Sequence, residues 1–324
     1  MTESKQGDDA VSYGGDEEGT GASEGAGTGT DTGTGNDRSH ASRVTEHRLE
    51  VEGSSLTSSE LEEVDHRMKL RPLAVYEIVR QEGEDELTRP NRSLWWSGLA
   101  AGLSIGFSVY TEAALRAYLP DAHWTPLVDS LGYSVGFLIV ILARQQLFTE
   151  ITLTAVLPVI ARPTMRGVFA VARLWSIVLA ANVVGTAIFA LGIAFDVLNT
   201  PDIVAAAIEV SREGTAGDFF DILLRGIAAG WIMATVVWLM PSAKGSGFVV
   251  IALLTSLIAL FHLAHVVAGS VEAFTLVFSG EVALHQAVFG FHLPALIGNV
   301  LGGSALFALI SYGQVADELD ERGN

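Results

Sequence analysis

Gly98-Leu99-Ala100-Ala101-Gly102 returns later in the chain as Gly226-Ile227-Ala228-Ala229-Gly230, and both copies lie inside apolar stretches long enough to cross a bilayer. Downstream of each, Asn182-Val183-Val184-Gly185 returns as Asn299-Val300-Leu301-Gly302. Small residues follow in both cases, then Phe189-Ala190-Leu191 and Phe307-Ala308-Leu309. With an odd number of crossings in each half, the two copies stand upside down relative to each other. Inverted repeats of this kind build a pathway at the bilayer midplane, between the halves.

The chain has 324 residues, 49% of them hydrophobic, and a net charge of −18, and these facts describe different regions. Most acid lies before Asn91, in runs such as Asp16-Glu17-Glu18 and Glu60-Leu61-Glu62-Glu63, whereas the sequence from Leu94 onward is apolar and small. That is a membrane domain with a polar extension. No cysteine is present, which removes disulfide and thiolate chemistry. Lysine occurs only at Lys5, Lys69 and Lys244, and an acidic chain poor in lysine suits a halophilic setting. At about 1 M salt the Debye length falls to ~3 Å, so a strongly acidic surface no longer repels itself. No basic stripe is available for nucleic acid.

Residues 1–55 are Gly, Thr, Ser and acid and are expected to be a disordered cytoplasmic tail, with no signal-peptide pattern at the start. Residues 56–93 read as an amphipathic helical segment on the cytoplasmic membrane surface, with a capping box from Ser59 to Glu62 and a second start at Pro72. Residues 94–314 form the six-helix transmembrane domain and 315–324 a cytoplasmic tail. Apolar length places crossings at 94–118, 129–160, 167–195, 219–240, 247–278 and 290–313. The second and fifth are too long for one straight span of ~20 residues and carry polar residues in their middle. These are Arg144-Gln145-Gln146 with Thr149-Glu150, and His262 with His265. Broken helices at matching repeat positions are the best sequence pointer to a substrate site. Arg162, Arg166 and Lys244 mark the basic connections, so the positive-inside rule puts both termini in the cytoplasm and the protein in the plasma membrane.

Leu147-Phe148-Thr149 at the first break, His265 at the second, and the segments around Asn182 and Asn299 resemble the formate/nitrite transporter family over roughly residues 94–312. The resemblance implies an aquaporin-like protomer in a homopentamer, each copy with its own pore for small monovalent anions of weak acids, with no cofactor and no enzymatic activity. It implies that Tyr133, Phe137, Phe148 and Thr149 line the pore near the first break, and Ile258 and His265 near the second. Tyr133, Phe137, Phe148, Ile258 and Phe261 suit apolar constrictions, which stop hydrated ions by dewetting while a neutral small acid passes. An imidazole, ordinarily with a pKa of roughly 6.5, is suited to give the anion its proton there.

The chain departs from the family at several positions. Gly230 stands where an asparagine is common, Ala229 where a cysteine is, and Gly214 where a lysine is usual, with Arg212 nearby. Arg144, Glu150 and Glu272 are added charges. An isolated one costs ~2.5–3.5 kcal/mol at the bilayer centre, so an ion pair of Arg144 with Glu272 or Glu150 is expected. Two other readings stand beside transport. One is a non-conducting or regulated scaffold gated by the acidic tail. The other is an intramembrane hydrolase with zinc on His262, His265 and Glu272.

Overall fold

The computed structural model describes Thr57, residues 70–198 and residues 200–323, all helical or turn wherever regular. The acidic tail, the capping box at Ser59 and the boundary at 56 lie outside the described residues. Helix α1 (Pro72–Thr88) opens on proline, whose missing N–H is no loss in a first turn. Its Leu73, Val75, Tyr76 and Val79 are buried with Leu153, Leu157, Phe307 and Val315. Thus α1 is held by residues from both halves of the sequence. Then come α2 (Asn91–Tyr118), α3 (Thr125–Leu142), α4 (Phe148–Thr154), α5 (Leu157–Ala161) and α6 (Met165–Ala194). The second half holds α7 (Pro201–Thr215), α8 (Phe219–Leu239), α9 (Gly247–Leu260) and α10 (Ala268–Phe278). The last helix, α11 (Leu284–Leu319), contains π-helical turns at Ala287–His292 and Leu301–Ala308. The helices α2, α3, α6, α8 and α11 are each long and apolar enough to cross a membrane.

The expected second and fifth crossings are interrupted, and by the same device. After α3 the N–H of Gln145 donates to the Val140 carbonyl (3.0 Å) and that of Arg144 to Ile141 (3.1 Å). After α9 the N–H of Leu263 donates to Ile258 (2.8 Å) and that of His262 to Ala259 (2.8 Å). This pair of bonds is the Schellman ending, and it requires a left-handed residue between them. Arg144 (φ 52°) and His262 (φ 47°) occupy that place. Glycine would adopt it without strain, whereas a side chain there costs about 1–2 kcal/mol.

The repeated words in the sequence make repeated contacts. A Cβ on Gly102 would lie 2.3 Å from the Asn182 carbonyl oxygen, and one on Gly230 2.4 Å from that of Asn299. Gly185 is likewise pressed against the Leu99 carbonyl and Gly302 against that of Ile227. Small residues let α2 meet α6, and α8 meet α11, backbone to backbone.

Helix α7 is not foreseen by hydropathy, which treats 196–218 as a connection. Pro201 and Asp202 start it, and Ile203, Ala206, Ala207 and Val210 form one buried stripe. It stands before α8 as α1 stands before α2.

Candidate functional site

Two buried asparagines fix the two breaks. The Asn182 amide donates to the carbonyls of Gly98 (2.8 Å) and Gln146 (2.9 Å), and its oxygen accepts from the N–H of Phe148 (2.9 Å). Asn299 repeats the pattern, donating to Gly226 (2.9 Å) and Ala264 (2.8 Å) and accepting from Val266 (2.8 Å). Chain interruption leaves backbone groups that lipid cannot satisfy, and these amides satisfy them. Neither asparagine has measurable exposure.

Between the breaks, His265 Nε2 lies 2.7 Å from Thr149 Oγ1. The N–H of Ala268 donates to Nδ1 of the same ring at 3.1 Å, as a side-chain cap does at a helix start. Nδ1 is therefore an acceptor and Nε2 carries the hydrogen, so the imidazole is neutral and gives its N–H to Thr149. The ring of Phe137 packs edge-on against it, with centroids 5.0 Å apart, and Tyr133 packs on Phe137 at 5.4 Å. Phe148 packs on Trp175, whose indole N–H donates to the Ile151 carbonyl at 3.1 Å. Tyr133, Phe137, Phe148, Thr149, Ile258 and His265 are all buried.

A cavity of about 710 Å³ opens on the α7 side, lined by Glu112, Asp121, Asp129, Asp202, Glu209 and Glu213 with a single arginine, Arg116. Arg116 is already engaged by Asp129 (2.5 Å) and Glu213 (3.3 Å). A small cavity of about 20 Å³ is bounded by Tyr133, Ile258, Glu112 and Glu272, and shares Glu112, Glu213 and His262 with the large one. A third cavity, of about 510 Å³, is lined by Glu82, Asp85, Glu86 and Glu150 with Arg89 and Arg144. No lining residue of these three is His265, Thr149, Phe137 or Phe148.

Several expectations need correction. Arg144 does not pair with Glu150 or Glu272: its side chain is 86% exposed and lies 3.8 Å from Glu82. The left-handed turn sends it into the third cavity, where water removes the need for an intramembrane partner. Phe261 is 59% exposed at the cap of α9, whereas Phe137 and Phe148 are buried, so it is not a constriction residue. His262, His265 and Glu272 do not converge. His262 is exposed at the left-handed turn and His265 has both nitrogens engaged. Among the described residues no group of three histidine or acidic side chains is placed to hold a metal.

Glu112 is not singled out by the sequence motifs, although a carboxylate in the apolar run of α2 is itself a signal. Gly214 faces Glu272: a Cβ there would lie 2.3 Å from its carboxylate oxygen. Arg212 pairs instead with Glu281 at 2.6 Å on the exposed surface.

On the other side, Thr154 donates to Glu86 at 2.5 Å, and Gln146 donates at 3.4 Å. Burial pushes the Glu86 carboxyl up to about 6, against those two bonds. A folded-state value above the unfolded one means the contribution is full below about 4.5 and lost as pH rises through about 6. Glu86→Gln, which mimics the neutral form, is therefore expected to melt close to wild type at acid pH and above it at neutral pH. Melting curves in detergent across that window check this, and a constant difference between the two proteins would contradict it.

An all-helical membrane fold with two interrupted helices whose broken ends meet at a buried polar contact defines a channel or secondary transporter. Residues 73–313 match the family model described as formate/nitrite transporter, and the chain belongs to that family. It is 39% identical to the inner membrane protein YfdC of Escherichia coli (strain K12), over 85% of this chain and 89% of that one. It is 24% identical to the uncharacterized transporter YrhG of Bacillus subtilis (strain 168), over 75% and 92% respectively. Among solved structures, an FNT family ion channel superposes with TM-score 0.60 at 20% identity, covering 75% of this chain and 96% of that one. A pentameric formate channel with formate bound gives 0.58 at 17%, covering 70% and 97%.

Proposed function

We propose that this chain carries small weak-acid anions such as formate or nitrite across the plasma membrane, each protomer of a homopentamer holding its own path and both termini facing the cytoplasm. The path runs from the α7-side cavity past Tyr133, Phe137 and Ile258 to His265 and Thr149, then past Phe148 to the third cavity. The observation that carries the reading is the 2.7 Å contact between Thr149 and His265, which joins the two breaks at their most buried point. A single polar contact among apolar rings suits a species that crosses without its charge. The formate-bound pentameric channel of the same fold supports the substrate class and the assembly.

His265 gives the substrate its proton in this reading. The neutral ring gains a proton at Nδ1, releasing the Ala268 N–H, and then loses one from Nε2 as the O–H of the acid forms. Passage requires Phe137 and Tyr133 to swing aside, since both are buried against one another.

Uptake of formate, nitrite, hydrosulfide, acetate and lactate into proteoliposomes tests this. Faster uptake is expected at the lower of two outer pH values than at the higher. His265→Asn lowers it on the order of tenfold, the loss of about one charge-assisted hydrogen bond. Uptake of these anions that ignores pH in the wild type would contradict the mechanism.

A further inference from the structure

Glu112 and Glu272 border the same cavity of about 20 Å³, and each has less than a tenth of its surface exposed. Among the described residues neither carboxyl makes a hydrogen bond or an ion pair, while the acids around them are engaged. Asp129 and Glu213 share Arg116, and Arg225 is spent on the carbonyls of His262 (3.0 Å) and Ala216. The charged groups that face Glu112 are Glu272, Asp129, Arg116 and Glu213, from four different helices. Arg225 and Glu112 face Glu272. His262, at the lip of the cavity, is the remaining titratable group with Tyr133. Two unpaired carboxylates in so small a space repel each other, and burial without a partner is costly for each. The cavity has room for about one water, and six acidic residues in the outer lining concentrate cations at its mouth.

We propose that Glu112 and Glu272 are a proton-uptake pair on the α7 side, holding one exchangeable proton that travels with each weak-acid anion. The proton arrives from the acid-lined cavity and forms the O–H of one carboxyl while the other stays ionised. That O–H breaks as the proton moves to a water in the small cavity and on to Nδ1 of His265, while the imidazole gives its Nε2 proton to the anion and the O–H of the neutral acid forms. The carboxylate left behind is reloaded from the vestibule. Gly214 contributes by having no side chain, which leaves the Glu272 carboxyl its position. Tyr133 lines the same cavity. This step rests on the weak-acid reading above but assigns proton entry to residues on one side only, away from the midplane.

Two measurements test it. Infrared spectra of the folded protein at neutral pH should show a protonated-carboxyl band that shifts in heavy water and disappears in Glu112→Gln with Glu272→Gln. Vesicles with the α7 side outward should take up one proton per weak-acid anion, at a rate set by the outer pH. The double variant, checked for unchanged elution and melting, should lose both the proton co-movement and the dependence on outer pH. His265→Asn should slow uptake and keep the band. Absence of the band in wild type, or proton co-movement retained in the double variant, overturns the proposal. A wild type with the band but no uptake of any weak acid would refute the transport reading and support the proton site.

Discussion

Asn182→Leu is expected to abolish the folded protein, and Asn299→Leu to do the same to an equal degree. Each amide serves three backbone groups in surroundings with no measurable exposure. The carbonyls of Gly98 and Gly226 keep their helical partners, so removal of the amide strands one carbonyl and one N–H at each break. An unpaired buried group costs about 1–3 kcal/mol, and two of them reach a large part of the 5–15 kcal/mol that stabilises an ordinary domain. Leucine has the same branched side chain of four heavy atoms, so hydrogen bonding is the main thing removed. The measurement is yield and melting in detergent for both variants. If either variant melts within a degree or two of wild type, the amides do not hold the breaks. A large difference between the two variants would show that the halves are not equivalent.

The second large effect is expected from Gly230→Ala, a single methyl group added where two helices touch. Its Cβ would fall 2.4 Å from the Asn299 carbonyl oxygen and 2.8 Å from its Cα, both backbone atoms that no rotamer change can move. The helices α8 and α11 must separate, and overpacking of this sort costs about 1–3 kcal/mol before any secondary loss. The secondary loss matters more for function. Moving Asn299 releases Val266 and Ala264, which flank His265, so the imidazole loses its register with Thr149. Uptake should fall well before the protein ceases to fold. Gly313→Ala is the control, with nothing within 4 Å of the added methyl, and should match wild type in both assays. Unimpaired uptake in Gly230→Ala would mean that the helix contact is not tied to the site.

The repeated Gly-x-x-x-Gly words, the repeated Asn-x-x-Gly words and the two overlong apolar spans are readable because each is a local property of the chain. Small residues at helical spacing announce close helix contacts whatever their partner. Polar residues within an apolar span announce a break, since lipid cannot satisfy them. His265 is therefore visible as a position of interest, and Asn182 and Asn299 as its companions. The pairing of Arg144 is not. A charge within a hydrophobic stretch is expected to sit in hydrocarbon, but the Schellman turn carries this one into the third cavity beside Glu82, where it is 86% exposed. Phe261 departs from expectation for a related reason: its spacing suits a constriction, while its cap position leaves it 59% exposed. Helix α7 is hidden because its stripe of Ile203, Ala206, Ala207 and Val210 is too short and too polar overall to register as apolar.

Chain composition and periodicity by themselves determined that this is an all-helical membrane protein in two related halves, and where each half is interrupted. Those features are set by neighbouring residues along one helix. Only the tertiary structure decided which polar groups meet: that His265 lies on Thr149 from the other half, that Arg144 turns away, and that Glu112 and Glu272 share one small cavity. Spacing fixes the face on which a side chain lies, but its partner belongs to a helix from elsewhere in the sequence. The choice among possible partners is made by backbone contacts at Gly102, Gly185, Gly230 and Gly302, which set how near those helices come.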